Sequence, residues 1–331
     1  MENAIPVYVL NGFLGSGKTT VLMNILSYCK QKNLKAGVIL NELGESNVEE
    51  HLLESEKIVE LLNGCICCTI QDDLRSTLDE FLHTQKESPI DLLLIEGTGV
   101  ANPIEVIEAL TDPTYIDTFQ LQSIIGIVDA SQFLDYQSIF TSSKEVRKLL
   151  KDQIQYSNYL LLNKVDLVSA SKLEKVEKLL NKAISHNITI VKTTHANLDI
   201  EELLTERFTT IISNGEKHMC NHGPGETCSH EHHQGNHSAI KAIKLEVQKP
   251  INRIQLEKWL NDLPKEVFRG KGIIQLEESA GFFDFQYASR RFVIKRVKDP
   301  KVSSSIVIIG MGFNEENLVS SFNEMFKRAV V

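Results

Sequence analysis

The sequence predicts an α/β sheet with helices on both faces, followed by a smaller α+β domain. Two observations carry this prediction. Six short apolar runs alternate with amphipathic stretches through the first part of the chain, and the alternation stops at a polar, histidine-rich break after residue 212. The runs are PVYVL (6–10), AGVIL (36–40), DLLLIE (91–96), IIGIVD (124–129), NYLLLN (158–163) and ITIVK (188–192). Strands this apolar need cover on both faces, as in a parallel sheet. Between them, TTVLMNILSYCKQ (19–31) and SKLEKVEKLLNKAI (171–184) repeat their apolar residues at helical spacing. The break, SNGEKHMCNHGPGETCSHEHHQGNHSA, has neither period and reads as a linker or an inserted loop. After it, AIKAIKLEV, FVIKR and SSIVIIG read as strands, and INRIQLEKWLNDL and ENLVSSFNEMFKRA as helices. The expected organisation is therefore a first domain over 1–212, a His/Cys-rich linker over 213–237 and a second domain over 238–331.

The bulk numbers narrow the function classes. Hydrophobic residues at 42% and charged residues at 24% are ordinary for a soluble globular protein, and 331 residues bury a core without disulfide staples. The net charge of -9 and a pI of about 5.6 argue against general affinity for nucleic acid or anionic membrane. MENAIPVYVLNGF lacks the basic region and cleavage site of a secretory leader, and no apolar run approaches bilayer length. The expected compartment is cytoplasmic, where thiols stay reduced.

Three motifs point to a nucleotide. Residues 12–19, GFLGSGKT, fit G-x-x-x-x-G-K-[ST] between an apolar strand and a helix, the context of a phosphate-binding P-loop. Gly12, Gly15, Ser16 and Gly17 let backbone N–H groups turn toward phosphate oxygens at a helix N-terminus, joined by Thr20. Lys18 would reach the β- and γ-phosphates, and the Thr19 hydroxyl would hold Mg²⁺. After run 158–163 comes NKVD, Asn163 to Asp166. The Asp166 carboxylate suits guanine, which offers N1–H and a 2-amino group; adenine offers neither, so the expected nucleotide is GTP. Lys164 would lie along the base and Asn163 would brace the loop. The third motif, IEGTG (95–99), ends a strand, where ligands bind in open α/β sheets. Glu96 would hold Mg²⁺ through water or orient the attacking water, and Gly97 and Gly99 would let backbone approach the γ-phosphate. Lys18, Thr19 and Glu96 are the expected catalytic set, with hydrolysis by positioning and charge stabilisation. No arginine finger is evident, so slow intrinsic turnover is expected.

Two further stretches are rich in soft ligands. NGCICCTIQDD (63–73) places Cys65, Cys67 and Cys68 within four positions. A disulfide between adjacent cysteines is strained, so a soft metal explains the cluster better. The second stretch, 218–237, carries His218, Cys220, His222, Cys228, His230, His232, His233 and His237. It matches no closed zinc finger and reads as an auxiliary collector of zinc, nickel or cobalt.

With GFLGSGKTT, NELGE (41–45), GCICC (64–68), EGTG (96–99) and NKVD in place, the chain resembles the CobW-type GTPases, metallochaperone relatives that include nitrile hydratase activators. The resemblance runs nearly the whole length and takes in a CobW-type C-terminal domain after residue 238. It implies a P-loop NTPase fold, GTP hydrolysis coupled to handling of zinc or cobalt, and Cys65, Cys67 and Cys68 as metal ligands. The family's ESTG reads EGTG here, so Gly97 brings no serine hydroxyl. Three thiolates suit Zn²⁺ and leave a fourth position for water, a client or a carboxylate, with Glu42 and Glu45 as candidates. Such an open site fits transfer better than permanent structural zinc. Co²⁺, Ni²⁺ and Cu(I) stay open. Cys29, inside the first helix, reads as a small core residue. The resulting reading is a GTP-dependent metallochaperone that delivers zinc to a client metalloprotein. Its alternatives are a nickel or cobalt insertase, a nucleotide-gated metal buffer or sensor without a dedicated client, and a small-molecule kinase, which NKVD and the thiols disfavour. A homo-oligomer is left open.

Overall fold

The computed structural model describes residues 4–40, 57–60, 70–85, 87–97, 99, 102–184, 188–213, 240–288, 290–298 and 302–327. The chain divides into two compact units, one of residues 1–111 and 115–208, the other of residues 112–114 and 209–331.

The apolar runs of the first unit all become strands: β1 (Ile5–Asn11), β2 (Ala36–Leu40), β4 (Leu92–Glu96), β5 (Phe119–Asp129), β6 (Tyr159–Asn163) and β7 (Thr189–Lys192). A seventh, β3 (Lys57–Glu60), is not among them; at four residues it is too short to register as an apolar run. The sheet order is β3-β2-β4-β1-β5-β6-β7, and every pairing is parallel. β5 starts five residues before the run IIGIVD. It carries an extra residue opposite Val7 and Tyr8, where the Gln122 carbonyl turns aside to accept the N–H groups of Arg207 and Phe208.

Helices cover both faces, as continuous apolar strands require. On one face α1 (Lys18–Lys32) sets Val21, Leu22, Ile25 and Leu26 against Tyr8, Leu10, Val38 and Leu94. Cys29 is fully buried in that cluster and behaves as a small apolar residue. On the other face α5 (Lys144–Gln155) and α6 (Ala170–Ala183) bring Leu150, Ile154, Val176 and Leu180 onto Val128, Leu160 and Leu162. The serines just ahead of these two helices accept N–H bonds from Val146 and Lys172, which fixes where they start. The remaining helices of this unit are α2 (Ile70–Thr84), α3 (Pro103–Leu110), α4 (Phe133–Gln137) and α7 (Ile200–Leu203).

The second unit is a mixed six-stranded sheet with helices on one face. Its order is β12-β11-β10-β13-β9-β8, from β8 (Thr209–Ser213), β9 (Ile240–Glu246), β10 (Val267–Leu276), β11 (Ser279–Ala288), β12 (Arg291–Val297) and β13 (Ser305–Met311). Helices α8 (Arg253–Asp262) and α9 (Glu315–Lys327) pack Trp259, Leu260, Leu318 and Phe322 onto Ile243, Ile274, Phe285 and Ile308. Two findings differ from the sequence reading. Residues 209–212, placed there at the end of the first domain, and Ser213, placed in the linker, pair in parallel with β9, and Ile211 packs on the second core. The β10–β11 hairpin escapes the sequence pattern, because Gly270, Gly272 and Gly281 interrupt its apolar alternation. Gly272 is needed there: a Cβ would lie 2.4 Å from the Phe285 ring. Among the described residues, no helix is long and apolar enough to cross a membrane.

Candidate functional site

The carboxyl ends of the central strands form one working edge. Register pairs Leu10 with Glu96 and Asp129 with Asn163, so β1 and β4 end nearly level and β5 and β6 end level; Asn11 pairs with Gly126, so β5 and β6 run about three residues farther on the same edge. β1 is central, and the chain goes from it to β2 on one side while β5 pairs on the other, which opens a crevice above its end.

The P-loop crosses this crevice. Gly12, Gly15 and Gly17 all hold positive φ, at 149°, 73° and 107°. Two of them are also packed against neighbours. A Cβ on Gly12 would lie 2.3 Å from the Ile127 carbonyl oxygen, and one on Gly17 would lie 2.5 Å from Asn163 Nδ2. The Phe13 carbonyl accepts the Ser16 N–H at 3.1 Å and the Lys18 ammonium at 3.3 Å, which curls the loop back on itself. Lys18 is buried, at 4% exposure. α1 then starts with no side-chain cap and no acid in its own first turn, so its leading N–H groups are not capped from within the helix. Ser16 is buried and packs its Oγ against Gly12.

The Thr19 hydroxyl donates to Glu96 Oε1 at 3.0 Å, and Glu96 is buried at the end of β4. A hydroxyl and a carboxylate oxygen together are hard donors of the kind Mg²⁺ takes, so these two residues fit that ion. Beyond Glu96, the Gly97 N–H continues the sheet to the Leu10 carbonyl at 2.9 Å. Gly99 lies against the P-loop, with space for a Cβ closed by Leu14 N at 2.6 Å. Its carbonyl accepts from Gln153 Nε2 at 3.4 Å.

At the other end of the crevice, Asn163 ties two loops together. Its amide donates to the Ser16 carbonyl at 2.9 Å and accepts the Ala196 N–H at 3.3 Å. The Lys164 ammonium reaches the Gly15 carbonyl at 2.5 Å and Asp129 Oδ2 at 2.7 Å. Asp166 is exposed at the start of a single helical turn, Val165–Leu167. Burial alone would raise the Asp129 carboxyl. Hydrogen bonds from Lys164 and Ser131, with the Lys164 charge, outweigh it and hold the group below its ordinary range.

These parts enclose a cavity of about 530 Å³, lined by Leu14, Gly15, Gly17, Lys18, Thr19, Thr20, Asn163, Lys164, Asp166, Leu167 and His195. Its size suits a small-molecule ligand. A larger cavity of about 720 Å³ lies in the second unit between α8 and α9, over Trp259, Leu263, Phe313 and Leu318. It has none of the phosphate-binding backbone and is not the nucleotide crevice. Sequence reasoning missed Asp129, His195 and Ala196. All three stand at or just past the carboxyl end of a predicted strand, and that position was the available signal. His195 and Ala196 both hold φ near 52°, a turn conformation that no residue type announced.

The expected zinc ligands Cys65, Cys67, Cys68 and Glu42, with Glu45, lie outside the described residues, as do His218, Cys220, His222, Cys228, His230, His232, His233 and His237. Among the described residues, no group of three or more His, Cys, Asp or Glu is arranged to hold a metal.

Residues 6–192 match the CobW/HypB/UreG nucleotide-binding domain, and residues 240–326 match the cobalamin synthesis protein cobW C-terminal domain. The zinc chaperone YjiA of Escherichia coli is 28% identical over 97% of this chain and 98% of its own length. The zinc-regulated GTPase metalloprotein activator 1 of Dictyostelium discoideum is 33% identical over 60% of this chain, and the match spans about half (48%) of that relative. A crystal structure of Zn(II)-bound YjiA GTPase from E. coli aligns over 98% of this chain and 99% of its own, at 24% identity and a TM-score of 0.49. On its own sequence and on both matched domains, the chain belongs to the CobW/HypB/UreG family.

Proposed function

We propose that the chain is a GTP-hydrolysing metallochaperone that carries zinc and hands it to a client metalloprotein. One observation carries the nucleotide half: Lys18, the Thr19–Glu96 pair and Asp166 line or abut one crevice at the working edge of the sheet. The P-loop N–H groups and Lys18 bind the phosphates, and the Thr19 oxygen offers a ligand for Mg²⁺. When bound, that ion would neutralise negative charge on the phosphate oxygens. Glu96 fixes the threonine hydroxyl and would hold the ion through water or orient the attacking water. Asp166 selects guanine over adenine at the far end, because only guanine presents adjacent N1–H and 2-amino donors to a carboxylate.

The zinc half is supported by the relatives, which are called zinc chaperones and a zinc-regulated GTPase. Within this chain, Cys65, Cys67 and Cys68 sit between β3 and α2 in sequence. β3 runs parallel to β2 and ends at Glu60, level with Leu40, on the same edge as the P-loop. A segment leaving that edge belongs where nucleotide-dependent switches act. Converting the metal from mostly bound to mostly free takes about 5.5 kcal/mol of differential affinity, and departure of the γ-phosphate supplies part of it.

The test is metal release. Protein purified without affinity metal is loaded with Zn²⁺ and mixed with a chelating dye under GTP, GDP or a non-hydrolysable GTP analogue. Release that follows hydrolysis supports the proposal, and equal rates in all three contradict it. Activation of an apo-client only under hydrolysing conditions separates delivery from buffering.

A further inference from the structure

Asp129 is the last residue of β5 and is 7% exposed at its side chain. It does not line the nucleotide cavity. Its two oxygens have separate tasks. Oδ1 accepts the Ser131 N–H at 2.8 Å and the Ser131 hydroxyl at 2.6 Å, so the carboxylate is locked by its own turn. Oδ2 faces Lys164 at 2.7 Å. The Ser131 carbonyl in turn accepts from Lys172 at 2.7 Å, which ties that turn to α6.

Lys164 is unusual in its own right. It is a non-glycine residue with φ 61°, a conformation held only where the surroundings determine it. A lysine with one acceptor, the Gly15 carbonyl, would still pivot about that contact. A second acceptor from a different loop removes the pivot and fixes the ammonium and its stem. The stem forms part of the cavity wall next to Asp166.

We propose that Asp129 is a positioning residue for guanine recognition. It anchors Lys164 from outside the cavity, sets the wall along which the base lies, and so governs how long the nucleotide stays. The inference rests on the GTP reading above. Because the pair is charge-assisted and mostly buried, its loss has a measurable cost even though Asp129 touches no ligand.

The experiment measures dissociation of N-methylanthraniloyl-GDP from the full-length wild-type protein and from Asp129→Asn, Lys164→Met and the double variant, with thermal unfolding of each nucleotide-free protein alongside. Asp129→Asn should speed release about 10-fold, as expected for a lost charge-assisted bond. In the Lys164→Met background the same change should add nothing. If Asp129→Asn does not fold, Ser131→Ala weakens the same anchor and should show a smaller shift that likewise disappears with Lys164→Met. Wild-type release rates in both Asp129→Asn and Ser131→Ala, or an undiminished effect without Lys164, overturn the proposal. Wild-type protein that binds no guanine nucleotide, or prefers an adenine nucleotide, overturns the GTP reading and this inference with it.

Discussion

Thr19 gives its hydroxyl hydrogen to Glu96 at 3.0 Å, joining the first turn of α1 to the last residue of β4. The two residues are 77 positions apart, and only the sheet order brings them together, because β4 is the immediate neighbour of β1. The bond orients the threonine so that its oxygen lone pairs remain for a cation. It also keeps the carboxylate at the mouth of the P-loop.

The first prediction separates the two partners. Thr19→Ala removes the proposed Mg²⁺ ligand and should weaken Mg²⁺-dependent GTP binding by about tenfold or more. Glu96→Gln keeps the acceptor and the shape but removes the charge. It should bind GTP within a few-fold of wild type and lower single-turnover hydrolysis by about 10²-fold. Phosphate release and direct binding, measured on both variants, decide the matter. A Glu96→Gln protein that hydrolyses GTP at the wild-type rate removes Glu96 from the mechanism.

A second prediction ranks two glycines of one loop. Gly15 and Gly17 both hold positive φ, so alanine at either is strained by about 1–2 kcal/mol. At Gly15 nothing lies within 4 Å of the added Cβ, and the strain is the whole cost. At Gly17 the methyl group also displaces the Asn163 amide, which holds the Ser16 carbonyl. Breaking that buried bond adds about 1–3 kcal/mol. Gly17→Ala should therefore melt earlier than Gly15→Ala and lose more nucleotide affinity. The reverse order in calorimetry and titration would mean that the Asn163 brace is unimportant.

Much of the first domain was legible because its strands are buried on both sides. A continuous apolar run such as DLLLIE announces itself, and the motif residues at its end take their positions from it. Lys18, Thr19, Asn163 and Asp166 thus fall on one edge from sequence alone. Asp129 could not be given a role, because an aspartate ending IIGIVD looks like any polar strand terminus. Its meaning comes from Lys164, 35 residues later, and the pairing is tertiary. The β10–β11 hairpin was hidden for a different reason. Its glycines serve the close approach of Phe285 and Tyr287, so their value lies in the neighbouring strand and not in the local pattern.

A third prediction concerns alkaline pH. Tyr8 and Tyr159 are both pushed from an ordinary value of 10 up to about 12. Burial is the main cause for each, reinforced by Glu206 for Tyr8 and Glu202 for Tyr159, and opposed by Arg207. A raised folded value means that the native state holds the proton more tightly than the unfolded chain does. The stabilisation is complete below pH 10 and is lost as pH rises through about 12. Tyr8→Phe gives up the bond to the Leu204 carbonyl, at 2.7 Å, but cannot ionise. It should be less stable than wild type at neutral pH and lose less stability above pH 10. Denaturant titrations across that range test it, and parallel pH profiles for the two proteins would show that Tyr8 is not the titrating group.

The last prediction follows from thermodynamic reciprocity. If GTP and Zn²⁺ bind one switch, each must change the affinity of the other by the same factor. A coupling of about 1–3 kcal/mol is typical, so GTP should bind about 5- to 150-fold differently with Zn²⁺ present. Replacing Cys65, Cys67 and Cys68 together by serine should abolish that difference and leave metal-free GTP binding unchanged, since the P-loop and NKVD supply the nucleotide contacts. Removing residues 218–237 should act otherwise. If their imidazoles and thiols act as the proposed metal collector, apart from the nucleotide motifs, zinc stoichiometry should fall while hydrolysis and the coupling factor persist. The two variants therefore divide the soft-ligand stretches into one that senses the nucleotide and one that only gathers metal. Isothermal titration of GTP with and without Zn²⁺ on all three proteins makes the division. If the triple-serine protein retains the wild-type coupling, the thiols are not the lever, and the zinc-dependent step must run through other groups.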